Sequence, residues 1–430
     1  MNVGFEILNQ FGRAVIQLLI NPFLYVSALF LVMQYRKQIQ LERKLFHSRL
    51  HSLRKEVLRS IIVGLVAGIL ISVVMAMLGI VITQGTVIVL WIITVLMAIV
   101  RVRFMCLAYS VGVLGILHVG LSWYPEAMQW EVIGTLFKWI HEAQMPGLIA
   151  LVGVLHLAEG LLVSKQGAKM ASPMFFEGKR GKLIGGYSLQ SFWPITLFLI
   201  VPMTGGSHVE LPWQALFSGD LWGAGWAILG FPIMMGYSEL TLTSTPPEKV
   251  RRSGKLLMIY GVVIVMLAVG AYYWSPAILI AAVLSIGLHE GIMVYSRYVE
   301  ARQVPLYVHD NRGLRILAVL PGSAAEEIGL QSGEIIRKIN GMQVHSRIEW
   351  HEAMRMNAAF CKLEVLNIKG EIKFAQRAIY AGDHHTLGII LAPDQEAQYF
   401  VEMRQTNLFR YLRSKLSGRT IKAEQSEGQL

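Results

Sequence analysis

Charge is what this sequence has least of. Only 16% of its 430 residues are charged, against about 25% in ordinary soluble domains, while 54% are hydrophobic. That balance excludes a purely soluble chain and indicates a membrane protein. Aspartate is scarcest: residues 1–296 contain Asp220 and no other. Cysteine is nearly missing too. Cys106 and Cys361 are the whole complement, too few for a disulfide framework or a thiolate metal cluster. The opening stretch MNVGFEILNQFGRAV lacks a Lys/Arg-rich start and a small-residue cleavage site, so no cleaved signal peptide is expected. Phosphate-loop, flavin, haem and Gly-x-Ser-x-Gly patterns are all missing, and no cofactor is expected. The formal net charge of +11 could suggest a nucleic-acid partner. Its distribution argues against one, because residues 1–296 hold 21 Lys and Arg against 13 Asp and Glu, mostly in short loops between apolar runs.

What is present is a series of apolar runs. A bilayer span needs roughly 20 such residues, which places candidate helices near 14–33, 60–82, 86–100, 104–121, 147–164, 188–203, 219–238, 256–273 and 277–296. The third is short and the seventh Gly-rich, so seven to nine transmembrane helices are expected. Four loops between spans (34–59, 101–103, 164–182 and 246–255) hold 8, 2, 5 and 4 basic residues, and the alternate loops hold Lys138 alone. This positive-inside bias puts the N-terminus outside and everything after Arg297 in the cytoplasm. Trp123, Tyr124, Trp139, Trp213 and Trp274 near the outer loops suit an interfacial belt. The 34–59 segment reads either as a solvated orientation signal or as a basic amphipathic helix on anionic lipid.

From about residue 305 the composition becomes that of a small globular domain. Ser323 to Glu326 and Ser346 to Glu349 are capping boxes, in which Ser accepts from the third backbone N–H and Glu reaches back to the cap. IIRKINGMQV reads as two strands around an Asn-Gly turn, with a second hairpin at Lys369-Gly370 and a last short strand at 386–391. After Pro393 comes an apolar-striped helix candidate (Tyr399, Phe400, Met403, Leu408, Phe409, Leu412), then a polar end expected to be disordered. The division expected is 1–296 for the polytopic helical membrane domain, 305–393 for a small α/β domain and 394–430 for a basic tail.

The motifs Pro321-Gly322-Ser323-Ala324-Ala325, Gly329-Leu330, Gly333-Glu334 and Asn340-Gly341 resemble a PDZ domain of the circularly permuted bacterial type, with Glu334 where that family usually has Asp. The resemblance covers about 305–393. It implies peptide binding by β-augmentation at the last strand, with Leu387, Gly388, Ile389 and Ile390 as the ligand edge. The helix opened by Ser346 would form the opposite wall, presenting Arg347, His351 and Met354 to the ligand and Trp350 and Ala353 to the core.

His289-Glu290 looks like half of a zinc-protease motif. Such a helix needs His-Glu-x-x-His, so that two His one turn apart share a metal, but Met293 occupies the second position. His141-Glu142 and His351-Glu352 fail in the same way, leading to Met145 and Arg355. His118, His156, Glu159, His289 and Glu290 still sit in apolar runs, where ionisable groups are costly. They read as interhelical glue, or as a cation or proton site if the helices touch.

A polytopic membrane region followed by one PDZ domain and a basic tail resembles the MinJ family, topological determinants of cell division in Gram-positive rods. The resemblance implies a membrane scaffold at septa and poles, not an enzyme. It would bridge a DivIVA-like scaffold and a MinD-like ATPase and contact other divisome membrane proteins. A membrane enzyme or transporter using the His–Glu set, or a PDZ adaptor unrelated to division, are the alternatives.

Overall fold

The computed structural model describes residues 3–131, 133–178, 181–207, 215–217, 225–357, 359–380 and 387–394. The chain opens with α1 (Val3–Ile20) and α2 (Pro22–Phe46), which meet at 57°. Asn21 makes the bend: its side chain accepts from the Phe23 N–H at 3.0 Å, and Pro22 starts the next helix where a missing N–H costs nothing. The run 14–33, expected as one span, is therefore broken. The basic 34–59 segment is absorbed largely into the end of α2 and the start of α3 (Leu53–Leu78).

Beyond these lie α4 (Gln84–Val100), α5 (Leu107–Trp123), α6 (Gly134–His141), α7 (Met145–Gln166), α8 (Pro246–Tyr273) and α9 (Ala277–Arg302). Among the described residues, α3, α7, α8 and α9 are each long and apolar enough to cross a bilayer, and the bent pair α1–α2 makes a fifth if counted as one; α4 and α5 are shorter apolar helices. Helix α7 is central, with 67% of its apolar window buried against 33% or less for the other three. It lies so close to α8 that a Cβ at Gly153 would stand 2.8 Å from the Gly261 carbonyl oxygen, and one at Gly160 2.6 Å from that of Gly254. Such small-residue contacts let helix backbones approach where the hydrophobic effect offers no drive.

Two of the expected spans are not helices. Residues 188–203 belong to strand β2 (Leu183–Ser207), and the described part of 219–238 belongs to β3 (Trp226–Thr241); with β1 (Ala171–Glu177) they form an antiparallel sheet of order β1-β2-β3. The composition explains it. SFWPITLFLIVPM is rich in β-branched and aromatic residues, and Pro194, Pro202 and Pro232 would each cost a helix interior about 3 kcal/mol. Proline suits strands with a free edge. Strand β1 pairs with β2 only as far as Leu189, so Pro194 and Pro202 lie beyond it, and β3 has β2 as its sole partner among the described strands.

Helices cover the β2 edge of the hairpin. A Cβ at Gly64 or Gly68 of α3 would sit 2.1 or 2.2 Å from the carbonyl oxygen of Pro194 or Thr196, so only glycine permits this approach. On β2, Phe198 N–H donates to Ser72 Oγ at 2.8 Å and Phe192 N–H to Tyr35 Oη at 3.3 Å. Helix α1 packs on the sheet face instead: the Ala14 carbonyl oxygen lies 2.4 Å from the place of a Gly230 Cβ, and Phe11 meets Phe198, the residue opposite Gly230.

The C-terminal domain is a sheet of order β8-β7-β5-β4-β9, with β6 paired to β5. Its strands are β4 (Leu314–Val319), β5 (Ile335–Ile339), β6 (Met342–Gln343), β7 (Phe360–Leu366), β8 (Ile372–Ala378) and β9 (Ile389–Leu391), with helices α10 (Ala324–Glu327) and α11 (Arg347–Arg355). Its core includes Leu314, Ile316, Ile336, Trp350, Leu363 and Val365. Asn340-Gly341 and Gly370 form the turns with positive φ. Ser323 and Ser346 cap their helices, but the glutamates reach one residue further back than expected: Glu326 accepts from Gly322 N–H at 2.6 Å and Glu349 from His345 N–H at 2.7 Å. A full capping box does occur at Thr245–Glu248, opening α8. Glu334 is buried, accepting from the Gln331 N–H at 2.9 Å and pairing with Lys373 at 2.8 Å.

This domain is docked on the helical body. Gly185 N–H of β2 donates to the Tyr307 carbonyl at 2.9 Å, and the Tyr187 hydroxyl reaches the Leu317 carbonyl and Ser332 Oγ. Leu317, Ala318 and Ile390 share one apolar cluster with the body.

Candidate functional site

The peptide groove implied by the PDZ resemblance would lie between β9 and α11. On the helix, Arg347, His351 and Met354 follow spacings of four and three residues, which align them on one face. Arg347 and His351 are exposed and Met354 half-buried, while Trp350 and Ala353 turn into the core. Met354 meets the Cys361 thiol, Sγ to Sδ 3.6 Å. The Arg347 Nε reaches Asp394 at 3.2 Å, just past the end of β9. Asp394 also takes His309 at 3.3 Å, and that hydrogen bond, aided by Arg347, holds its carboxyl below the usual range. His309 is oriented by its other contacts: Nδ1 accepts from Arg315 N–H at 3.2 Å, so Nε2 carries the proton and donates to the Ala392 carbonyl at 2.9 Å.

On the strand side the chain enters β9 through two consecutive residues with positive φ, Leu387 at 56° and Gly388 at 82°. A non-glycine residue in that region is uncommon and held there by its surroundings. Here the hold is visible. The Leu387 carbonyl accepts from Ala325 N–H at 2.9 Å and the Gly388 carbonyl from Leu320 N–H at 2.8 Å. In a trans peptide the C=O and the next N–H point opposite ways, and the described chain has no cis bonds. The N–H groups of Gly388 and Ile389 therefore face away from β4 and α10, toward the sheet edge. Among the described strands, β9 has β4 as its only partner. Two aligned donors at an unpaired edge suit an extended peptide or a carboxylate.

Of the residues expected at the edge, Ile389 and Ile390 both lie on β9, and Ile390 differs in its side chain. Its side chain lies on the opposite sheet face, in the cluster shared with the body, because successive side chains of a strand alternate faces. Leu387 and Ile389 lie on the domain's core side. The tail candidates from Tyr399 to Leu412 fall outside the described residues.

The polar residues of the apolar runs divide into two groups. His118 stays apart, its Nδ1 3.0 Å from the Ile140 carbonyl and its ring stacked on His141. His156, Glu159, His289 and Glu290 converge as α5, α7 and α9 pack. Glu290 is an anchor: it pairs with Arg103 at 2.6 Å and accepts from the Tyr109 hydroxyl at 2.8 Å. His156 and His289 approach each other, ring centroids 5.3 Å apart, with Tyr260 edge-on to both. Between them sits Cys106, whose Sγ is 3.3 Å from His156 Nε2 and 3.6 Å from His289 Nε2. Sequence reasoning set this cysteine aside, since nothing in linear spacing connects it to histidines 50 and 183 residues away.

A family model described as PDZ domain matches residues 315–366. Across the whole chain, the cell division topological determinant MinJ of Bacillus subtilis is 30% identical over 393 residues, covering 91% of this chain and 96% of that protein. The chain belongs to the MinJ family. A probable MinJ of Lacticaseibacillus paracasei is 27% identical over 396 residues, covering 89% of this chain and 99% of its own. No solved structure matches. The MinJ likeness thus extends through the helical body and its hairpin as well as the PDZ domain.

Proposed function

We propose that this MinJ-family protein is a non-enzymatic membrane adaptor in division-site selection. It bridges a DivIVA-like scaffold at septa and poles to a MinD-like ATPase and contacts divisome membrane proteins. The reading is carried by full-length similarity to a protein named a cell division topological determinant, together with a PDZ edge whose donors are turned outward. The PDZ domain, of the permuted type in which the ligand edge is the last strand, takes an extended peptide beside β9, with Gly388 and Ile389 N–H as donors and Arg347, His351 and Met354 as the facing wall.

The 19-to-1 distribution of basic residues between alternate loops supports a cytoplasmic PDZ domain. Replacing two expected spans by a hairpin leaves this unchanged, since two crossings fewer keep 164–182 and 246–255 on one side. Membrane anchorage raises the effective concentration of partners at the bilayer, so no single contact has to be tight.

A fluorescent fusion imaged in dividing cells, with and without the curvature-sensing scaffold, tests the proposal. Septal and polar bands that vanish without the scaffold are expected; uniform membrane label in both strains would overturn it.

A further inference from the structure

We infer that Cys106, His156 and His289 form a site for one zinc-class divalent cation that ties α5, α7 and α9 together. This goes beyond the adaptor reading and does not depend on it. The three ligand atoms lie within 4.8 Å of one another. A tetrahedral ion bonded at about 2.3 Å to sulfur and about 2.0 Å to imidazole nitrogen holds sulfur and nitrogen about 3.5 Å apart. The two separations here are 3.3 and 3.6 Å.

Hydrogen bonding independently points both imidazoles at the same place. His156 Nδ1 donates to the Val152 carbonyl at 2.7 Å, which leaves Nε2 as a lone pair. His289 Nδ1 lies 3.2 Å from the Tyr109 oxygen. That hydroxyl already donates to Glu290 at 2.8 Å, so it accepts from His289 and again leaves Nε2 unprotonated. Two lone pairs thus face one thiol, which has a single proton and can satisfy one of them. An ion satisfies both and takes the thiolate as well. Outer hydrogen bonds of this kind are what orient metal-binding histidines.

The donor set selects the ion. One thiolate and two imidazoles suit a borderline-soft cation and not magnesium or calcium. Glu159, one turn along α7 from His156, has a carboxylate oxygen 4.0 Å from the His156 Nε2, beside the three-ligand set and near enough to balance the ion's charge. A divalent ion bound by one thiolate beside one carboxylate leaves no net charge, which suits a site with His156 almost fully buried.

The test uses the full chain in detergent, stripped with chelator and then loaded with cobalt(II) as a spectroscopic substitute. One ion per chain is expected, with tetrahedral absorption and a thiolate-to-cobalt charge-transfer band. Cys361→Ser should keep the band, Cys106→Ser and His289→Gln should lose it, and Tyr109→Phe should weaken binding about 10–100-fold. Zinc should raise the unfolding temperature of the wild type and leave that of Cys106→Ser unmoved. Absence of the band in the wild type, its persistence in Cys106→Ser, or its dependence on Cys361 would each overturn the site. If Cys106→Ser fails to fold, Tyr109→Phe, which keeps every ligand, decides: unchanged affinity contradicts the proposed geometry.

Discussion

The described residues form two sheets, and their edges are treated in opposite ways. The β2–β3 hairpin lies among apolar helices and is closed along β2: α3 presses Gly64 and Gly68 against that strand, and the Ser72 and Tyr35 hydroxyls take its edge N–H groups, while α1 packs across the sheet face at Gly230 and Phe198. Strand β9 of the PDZ sheet is bordered by β4 alone among the described strands, and its first N–H groups point away from β4, within a segment whose residues are themselves buried. The difference follows from the surroundings. An unpaired backbone group in hydrocarbon costs several kcal/mol, so irregular or β structure there must be buried in protein. At an aqueous surface the same group costs little and remains available to a partner strand. Edge closure along β2 serves stability; on the proposed function, the edge of β9 serves binding.

Substitutions that blur this contrast should matter in proportion. The largest effect is expected for Gly68→Val, which drives a branched side chain into the Thr196 carbonyl. A loss on the order of 4 kcal/mol or more, or failure to accumulate folded protein, should appear in thermal unfolding. Gly388→Ala comes next, because its φ is 82° and the new Cβ would lie 2.2 Å from that of Ser323. It should cost about 2–3 kcal/mol within the PDZ domain and disperse septal label while membrane insertion persists. Ser72→Ala leaves the Phe198 N–H without its acceptor and should cost about 1–3 kcal/mol.

The smallest effect concerns the acid sensitivity of the groove's end. Asp394 is held below the usual carboxyl range by His309, so its contribution is present above the ordinary Asp value of about 4 and is lost as pH falls through the depressed one. The pair is partly exposed, so the contribution should stay below about 1 kcal/mol. Asp394→Asn should remove that contribution near neutrality and flatten the stability–pH curve in the acid window, where the two proteins converge.

Legibility in the sequence divided along the same line. The PDZ strands and turns were readable because their signals are local: Pro321-Gly322-Ser323, Asn340-Gly341 and the two serine caps each specify a few consecutive residues. Core and exposed positions of α11 followed from counting along one helix. The hairpin was misread because a long apolar run satisfies a buried strand and a membrane helix equally by periodicity. Pro194, Pro202 and Pro232 were the signals that could have separated them. The meeting of Cys106 with His156 and His289 was not readable at all, since it arises only when three distant helices pack.

Amide hydrogen exchange on the full-length protein tests the central claim most directly, by comparing the start of β9 with the β2–β3 hairpin. The account predicts fast exchange at Gly388 and Ile389 without a partner, and slow exchange at Phe192 and Phe198, whose edge is closed. Equal protection at Gly388 and Ile389 would mean that the β9 edge is already occupied, and would contradict its role as the docking strand.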